Sequence, residues 1–180
     1  MRSGILLQSG QFYDYLEPEK NCWEIEDVAL ALSNQSRYAG HVDKFFSIAQ
    51  HCVFVSEIID PAYALDGLLH DASEAFLTDL PSPLKALLKD YRELEKIHEK
   101  EIFRRYNLEY PMRPEVHIAD REALLVEVLN FKPPSEHWDF LDGTFIWDVK
   151  LKPWSPKKAR EEFLKRYYEL TNQRYMTTLH

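Results

Sequence analysis

Two histidines and two aspartates occur in segments whose helix faces are otherwise apolar. His51 in "SIAQHCVFVSE" and Asp120 in "PEVHIADREALL" fall on the apolar faces of predicted helices, and His70 and Asp71 follow the apolar start of "GLLHDASEAFL". One buried histidine is commonly satisfied by a backbone hydrogen bond, so His51 alone indicates little. Two imidazoles and two carboxylates from three helices instead form a mixed nitrogen and oxygen ligand set. Together, the four residues predict a divalent metal site.

The residue types in this set limit both the metal and its chemistry. Imidazole and carboxylate ligands suit Co, Mn, Zn, Ni or Fe, with Mg as a further alternative. Four ligands on rigid helices leave coordination positions open for water and for substrate oxygens, which hydrolysis requires. Cys22 and Cys52 are not at metal-ligand spacing, and we expect both to be core thiols in a reducing cytoplasm.

Helices must position these ligands, because apolar residues recur at helical spacing along most of the chain. Helices are predicted in "WEIEDVALALSN", "FSIAQHCVFVSEII", a single run from Pro61 to the turn at Pro81, "YRELEKIHEKEIFRRYN", "PEVHIADREALLVEVLNF" and "SPKKAREEFLKRYYELTNQ". The glycine-punctuated "GILLQSGQFYDY" suits one or two short strands, and residues 131–154 suit an irregular segment. We therefore expect one all-α domain over residues 1–180, with a short N-terminal β hairpin and an irregular segment before the C-terminal helix.

Composition limits the partners of this domain. The chain has 180 residues, 45% of them hydrophobic, which is enough for one buried core. Its net charge of -8 argues against binding to a nucleic acid polymer or an anionic membrane, whereas a few local cations can still bind a small phosphate. No apolar run has the length of a membrane span, so we expect a soluble cytoplasmic protein without membrane partners.

At the level of motifs, the sequence resembles the HD-domain metal-dependent phosphohydrolases. The resemblance is carried by the His of "AQH", the His-Asp pair of "LLHDASEA" and the Asp of "HIAD". In this order, "LSNQSRYAGH", "SIAQHCVFVSE" and "LLHDASEAFLTDLPSPLK" resemble the branch of bacterial 5'-deoxynucleotidases and phage or prophage nucleotide phosphohydrolases. The resemblance implies an HD-type helical bundle with core motifs at 30–130, metal ligands at His51, His70, Asp71 and Asp120, and a homo-oligomer.

The same resemblance suggests two further site residues. Glu74 follows the His-Asp pair by three and four residues, so on a helix it would project to the same side and reach a bound water. We expect it to be the general acid and base, with orientation of His70 as the alternative role. Arg37 in "SRYAGH" resembles an arginine near the substrate phosphate, and its planar fork suits that role. The alternative is a surface or capping arginine.

Three more residues are substrate-binding candidates with open alternatives. Lys85 follows the double-proline turn and would bind phosphate or be a solvated lysine at a helix start. Tyr38 would stack on a nucleobase or pack in the core. Asp79 in "TDLPSP" would contact the sugar or cap the turn.

The function implied by the resemblance is removal of phosphate from nucleotides or deoxynucleotides by a metal-dependent phosphohydrolase. Either 5'-deoxynucleotidase activity or dNTP or dATP phosphohydrolase activity would fit, and the residues do not decide between monophosphates and triphosphates. One alternative is a catalytically silent nucleotide-binding HD scaffold. Another is an alarmone hydrolase, which fits less well because Glu74 is followed by Ala75 instead of an acidic residue.

Overall fold

The computed structural model describes residues 3–132 and 141–171, and most of them are helical. The strands and helices of these ranges are β1 (Gly4–Leu6), β2 (Phe12–Asp14), α1 (Ile25–Asn34), α2 (Ile48–Ile58), α3 (Ala64–Leu69), α4 (Glu74–Leu77), α5 (Ser82–Lys85), α6 (Lys89–Arg105), α7 (Pro114–Phe131) and α8 (Pro156–Leu170). Short 3-10 turns lie at Pro18–Lys20, Arg37–Gly40 and Pro61–Tyr63. The prediction of a mainly helical fold with a small N-terminal sheet is confirmed.

Helix α2 is the central element of the fold. All nine residues from Ile48 to Ser56 are buried, and α2 packs against α1, α3, α7 and α8. One apolar cluster joins α2 to α1, α3 and α8, and a second joins it to α3 and α7. A helix buried on every side must give each of its polar side chains a partner, because an unpaired polar group in the interior is costly.

Two polar residues of α2 bind other segments of the chain. The Gln50 side chain donates to the Lys152 carbonyl at 2.8 Å and accepts from the Trp154 amide at 2.8 Å. Ser56 accepts from the Arg166 guanidinium through its hydroxyl at 3.0 Å and its carbonyl at 2.9 Å. These bonds fasten the segment before α8, and α8 itself, to the centre of the fold. His51, the histidine of α2, has a different set of partners, which come from α7 and from the residues after α3.

The N-terminal hairpin packs on the helices through its aromatic residues. Strands β1 and β2 pair antiparallel, with Ile5 opposite Tyr13. The buried Tyr13 ring stacks on Phe76 of α4 with centroids 4.0 Å apart, and the Tyr15 hydroxyl donates to the Phe76 carbonyl at 2.8 Å. The predicted hairpin is therefore a packed part of the domain.

The C-terminal prediction is also confirmed where the structure describes it. Residues 141–154 are largely irregular, and the part of the predicted irregular segment at 133–140 lies outside the described residues. Helix α8 begins after Ser155, whose hydroxyl accepts from the Lys158 amide at 3.3 Å, and Pro156 occupies its first turn.

The prediction of one helix from Pro61 to Pro81 is wrong, because the chain leaves regular helix geometry after Leu69. The Ala72 amide donates to the Leu69 carbonyl at 3.0 Å, and the Glu74 amide donates to the Asp71 carbonyl at 3.0 Å. These bonds span three residues instead of four, which tightens the turn between α3 and α4. The predicted metal ligands His70 and Asp71 therefore lie at a break between two short helices.

The two cysteines differ in exposure. Cys52 is buried, as predicted, but Cys22 is exposed, so its prediction as a core thiol is wrong. Cys22 precedes α1 in a non-helical segment where the next residue, Trp23, is buried. In extended backbone, successive side chains point to opposite sides, and this places Cys22 outside.

None of the helices in residues 3–132 and 141–171 combines the length and apolar character needed to cross a membrane.

We expect His98 of α6 to make the folding stability decrease when the pH drops below 6.5, the ordinary pKa of histidine. It is buried, its Nδ1 lies 2.7 Å from the Tyr13 hydroxyl, and its Nε2 lies 3.1 Å from the Tyr15 carbonyl. The carbonyl can only accept, so Nε2 donates and Nδ1 accepts in the neutral ring. Burial lowers the pKa of His98. Stabilisation of the neutral ring is therefore complete above the unfolded pKa and is lost as pH falls through 6.5 toward the folded value.

Urea unfolding of the wild type and of His98→Gln at pH 8 and pH 5.5 measures this effect. We expect the wild type to lose more stability than the variant on acidification. His117→Gln, which changes an exposed histidine of α7, is the matched control and should follow the wild type. An equal loss in the wild type and His98→Gln would contradict the assignment.

Candidate metal centre

The four predicted metal ligands converge in the structure. His51 comes from α2, His70 and Asp71 directly follow α3, and Asp120 comes from α7. The Nε2 atoms of the two histidines are 3.2 Å apart. Asp120 Oδ1 lies 3.1 and 3.8 Å from these nitrogens, and Asp71 Oδ2 lies 3.7 and 3.3 Å from them. Three elements that are distant in sequence therefore bring four potential ligand atoms together.

The outer nitrogens of both histidines show which ring atoms face the cluster. His51 Nδ1 lies 2.5 Å from Glu127 Oε1, and His70 Nδ1 lies 2.8 Å from the Gly67 carbonyl. An ionised carboxylate and a carbonyl only accept, so both Nδ1 atoms carry the proton that is donated. In the neutral rings, both Nε2 atoms then present lone pairs to each other and to the two aspartates. A cation among them would satisfy all four acceptors, as in carboxylate-histidine-metal arrangements.

The pKa shifts in the cluster also indicate that positive charge is stabilised there. Burial alone would lower the pKa of His70, but the carboxylates of Asp71 and Asp120 raise that pKa to about 9. Burial would raise the pKa of Asp120, yet His51 and His70 lower that pKa to about 2. The chemistry of this donor set fits a divalent cation, and this buried group could hold a metal ion.

Access to the cluster comes from the side of the aspartates. The side chain of Asp120 is 40% exposed and that of Asp71 is 19% exposed, whereas those of His51 and His70 are 0% and 2% exposed. The imidazoles thus form the floor of the site and the carboxylates form its rim. The cluster is therefore open to solvent on the side of the carboxylates.

Cys52 contributes an additional candidate ligand that the sequence did not indicate. Its sulfur and ligand atoms of His70 and Asp71 all lie within 4.8 Å of one another. Burial and the charges of Asp71 and Glu74 raise the pKa of the Cys52 thiol well above its usual value. The thiolate is the ligand form of cysteine, so this environment makes Cys52 a poorer ligand than the imidazoles.

Arg37 and Tyr38 are both brought to the site by the turn after α1. Arg37 Nη1 lies 3.9 Å from Asp71 Oδ2, and Arg37 Nε lies 3.3 Å from Glu127 Oε2. Tyr38 donates to the same Glu127 oxygen at 3.0 Å. Tyr38 and Ala39 have φ of 58° and 50°, a left-handed conformation that is costly for residues with a Cβ. Stacking of Tyr38 on a base stays a prediction.

Glu74 and Lys85 form an ion pair beside the cluster. Lys85 Nζ lies 3.3 Å from Glu74 Oε1 and 2.7 Å from Glu95 Oε1. Within the described ranges, the buried Glu74 Oε2 has no hydrogen-bond partner. Burial and the charge of Asp71 raise the pKa of Glu74 well above its ordinary value. The candidate acid and base thus lies near the cluster with one carboxylate oxygen unengaged by protein groups.

Asp79 is half-buried after α4, and its backbone amide donates to Gln35 Oε1 at 3.3 Å. Burial raises its pKa, Arg37 opposes that rise, and Asp71 adds to it. The charges of Arg37 and Asp71 therefore act on Asp79. Its predicted contact with a sugar stays untested.

Besides Cys52, the sequence did not indicate three further residues at the site. Glu127 follows Asp120 by seven residues, which is two helical turns, so the helical spacing could have indicated it. Glu95 binds Lys85, and Gln35 donates to the Glu74 carbonyl at 2.9 Å. No local pattern signals these last two, because their partners come from other elements of the fold.

Comparison with known proteins identifies relatives that match along most of the chain. The uncharacterized protein YfdR of Escherichia coli is 34% identical over 168 residues, which cover 92% of this chain and 94% of YfdR. The uncharacterized protein RCAP_rcc00048 of Rhodobacter capsulatus is 32% identical over 181 residues, with 90% and 92% of the two chains covered. No family model matches the sequence. The identity and coverage show that the chain belongs to the same protein family as YfdR.

Proposed function

We propose that this protein is a cytoplasmic, metal-dependent phosphohydrolase of the HD-domain type that removes phosphate from nucleotides. One observation carries the proposal. Four acceptor atoms from His51, His70, Asp71 and Asp120 converge from three elements, and both histidines have their outer nitrogens bound to acceptors. The same residues carry the resemblance to the HD-domain enzymes.

A divalent cation held by these four residues would lower the pKa of a bound water and offset charge on phosphoryl oxygens. The remaining work falls to side chains of the chain itself. Arg37 lies at the rim with its Nη1 toward Asp71, where its guanidinium can donate to phosphate oxygens. Lys85 has three N–H donors, of which Glu74 and Glu95 engage two, so one can donate to a phosphate.

Glu74 is the group proposed to move the proton. A water oxygen attacks phosphorus, the bond from phosphorus to the ester or anhydride oxygen breaks, and the departing oxygen takes up a proton. Glu74 Oε2 is unengaged by protein groups, so it can accept the proton of the attacking water and return it to the leaving oxygen. The Lys85 ammonium holds the other oxygen of Glu74 in place.

The substrate proposed is a nucleotide or deoxynucleotide, with 5'-deoxynucleotidase and dNTP or dATP phosphohydrolase activities both retained. Tyr38 lies next to Arg37, whose guanidinium is 5.7 Å from the centre of its ring, and an aromatic ring can stack on a nucleobase. Assembly as a homo-oligomer belongs to the same proposal. A catalytically silent nucleotide-binding scaffold is the alternative, and the presence of all four candidate ligands together with Glu74 favours the enzyme over it.

Phosphate release from a nucleotide panel tests the proposal. The panel contains ribo- and deoxyribonucleoside mono-, di- and triphosphates, offered to metal-stripped protein alone and with added Co, Mn, Zn, Ni, Fe or Mg. We expect turnover only with a divalent metal, and we expect Asp71→Ala to abolish it because Asp71 contacts both histidines. Guanosine tetraphosphate in the same panel tests the alarmone alternative.

Asp90→Ala is the matched control, since it removes an exposed aspartate at the start of α6. It should turn over as the wild type does. Absence of release with every nucleotide and metal, from folded protein with bound metal, would reject the hydrolase. Nucleotide binding under those conditions would favour the scaffold.

A further inference from the structure

Glu127 is a fully buried carboxylate that binds three groups of the site at once. It lies on α7 with 0% of its side chain exposed. Its Oε1 lies 2.5 Å from His51 Nδ1. Its Oε2 lies 3.3 Å from Arg37 Nε and accepts from the Tyr38 hydroxyl at 3.0 Å. One carboxylate therefore joins a candidate metal ligand to the candidate anion-binding arginine.

The two oxygens of Glu127 have different partners and different consequences. Oε1 accepts the Nδ1 proton of His51 and thereby leaves the Nε2 lone pair for the cluster. Oε2 holds the Nε edge of the guanidinium, so Nη1 is directed to the side of Asp71. The Tyr38 hydroxyl adds a second donor to Oε2.

We propose that Glu127 is a positioning residue that sets the metal-facing nitrogen of His51 and the direction of Arg37 together. The inference rests on the proposed function, because it assigns Glu127 to the same site. A group that served the fold alone would need only to neutralise Arg37. The contact with His51 Nδ1 instead determines which ring nitrogen can bind a cation, and this difference can be measured.

Glu127→Gln separates the two roles. Two donors, from Arg37 and Tyr38, meet the Oε2 position, so the amide oxygen of glutamine belongs there. The amide nitrogen then faces His51 Nδ1 and donates to it, which moves the ring proton to Nε2. The ring would present N–H to the cluster in place of a lone pair. The side-chain volume and the contacts of Arg37 are largely retained.

The experiment titrates metal-stripped full-length protein with Co²⁺ and with Zn²⁺ by calorimetry, without substrate. We expect Glu127→Gln to weaken metal affinity about 10–100-fold, as loss of a partner that orients a metal-binding histidine does. Tyr38→Phe is the matched control, because it removes a donor to Oε2 and leaves the bond between Oε1 and His51. Its metal affinity should equal that of the wild type. Circular dichroism and melting of the metal-free proteins show whether the variants fold.

The outcomes separate the inference from the proposed function. Equal metal affinity in the wild type and folded Glu127→Gln overturns the inference alone. A wild type that binds neither metal overturns the proposed function and the inference with it. Should glutamine prevent folding, Glu127→Asp keeps the charge that Arg37 requires but is one methylene too short to reach both partners. Its metal affinity should also fall, and an unchanged value would overturn the inference.

Discussion

Glu74→Gln is expected to lower kcat for phosphate release about 10²–10⁴-fold, the usual contribution of a general acid or base. Glutamine keeps the size of the side chain and can still accept from Lys85, but it cannot take up the proton of the attacking water. Metal affinity should be unchanged, because Glu74 is not among the four proposed ligands. Folding stability should be largely retained, because glutamine has nearly the same volume and its amide oxygen can still accept from Lys85. Steady-state kinetics, metal titration and urea unfolding measure the three quantities.

Glu93→Gln is the matched control for this change, since Glu93 is an exposed glutamate on α6. It should retain the kcat of the wild type. A Glu74→Gln enzyme with wild-type kcat would remove Glu74 from the reaction. Loss of metal affinity together with kcat would instead indicate that Glu74 supports the metal ligands, which was its alternative role.

Glu127→Ala is expected to destabilise the metal-free protein by about 3–5 kcal/mol, as removal of one member of a buried ion pair does. The side chain of Glu127 is 0% exposed and that of Arg37 is 13% exposed, so the pair is largely shielded from solvent. Alanine leaves the guanidinium, the His51 ring proton and the Tyr38 hydroxyl without this acceptor. Urea unfolding at neutral pH measures the change in the free energy of unfolding.

Tyr38→Phe again provides the comparison, since it removes only one hydrogen bond, from a neutral donor, to the same carboxylate. Its cost should be about 1.5–3 kcal/mol, the range for a hydrogen bond to a charged group. A Glu127→Ala protein that is destabilised no more than Tyr38→Phe would show that solvent or a neighbouring group replaces the carboxylate. The energetic importance of the Arg37 pair would then be refuted.

The sequence predicted the long helices because their apolar residues recur at helical spacing. Helix α2 and helix α7 are examples, and the cap at Ser155 correctly predicted the start of α8. The helix predicted from Pro61 failed at His70. There the His70 ring donates to the Gly67 carbonyl, and the backbone hydrogen bonds join residues three apart instead of four. The spacing of apolar residues does not indicate this change.

The candidate site was predictable to the extent that residue type and helix face reveal it. His51 and Asp120 were found because they are polar groups on apolar faces, and the structure places their ligand atoms 3.1 Å apart. Glu95 and Gln35 were not found, because each acquires its role from a partner on another element. Helical spacing could also have placed Glu127 on the same face as Asp120. Its importance, however, depends on Arg37, which is 90 residues away in sequence.

The aromatic packing of the N-terminal hairpin has a consequence for the position of Glu74. Helix α4 has only four residues, too few to hold a helical shape without support. That support comes from Tyr13, whose ring lies flat on Phe76, and from Tyr15, whose hydroxyl binds the Phe76 carbonyl. Glu74 is the first residue of this helix, so the packing of the hairpin also determines where the Glu74 carboxylate lies. The small N-terminal sheet therefore helps to position the carboxylate that is proposed to transfer the proton.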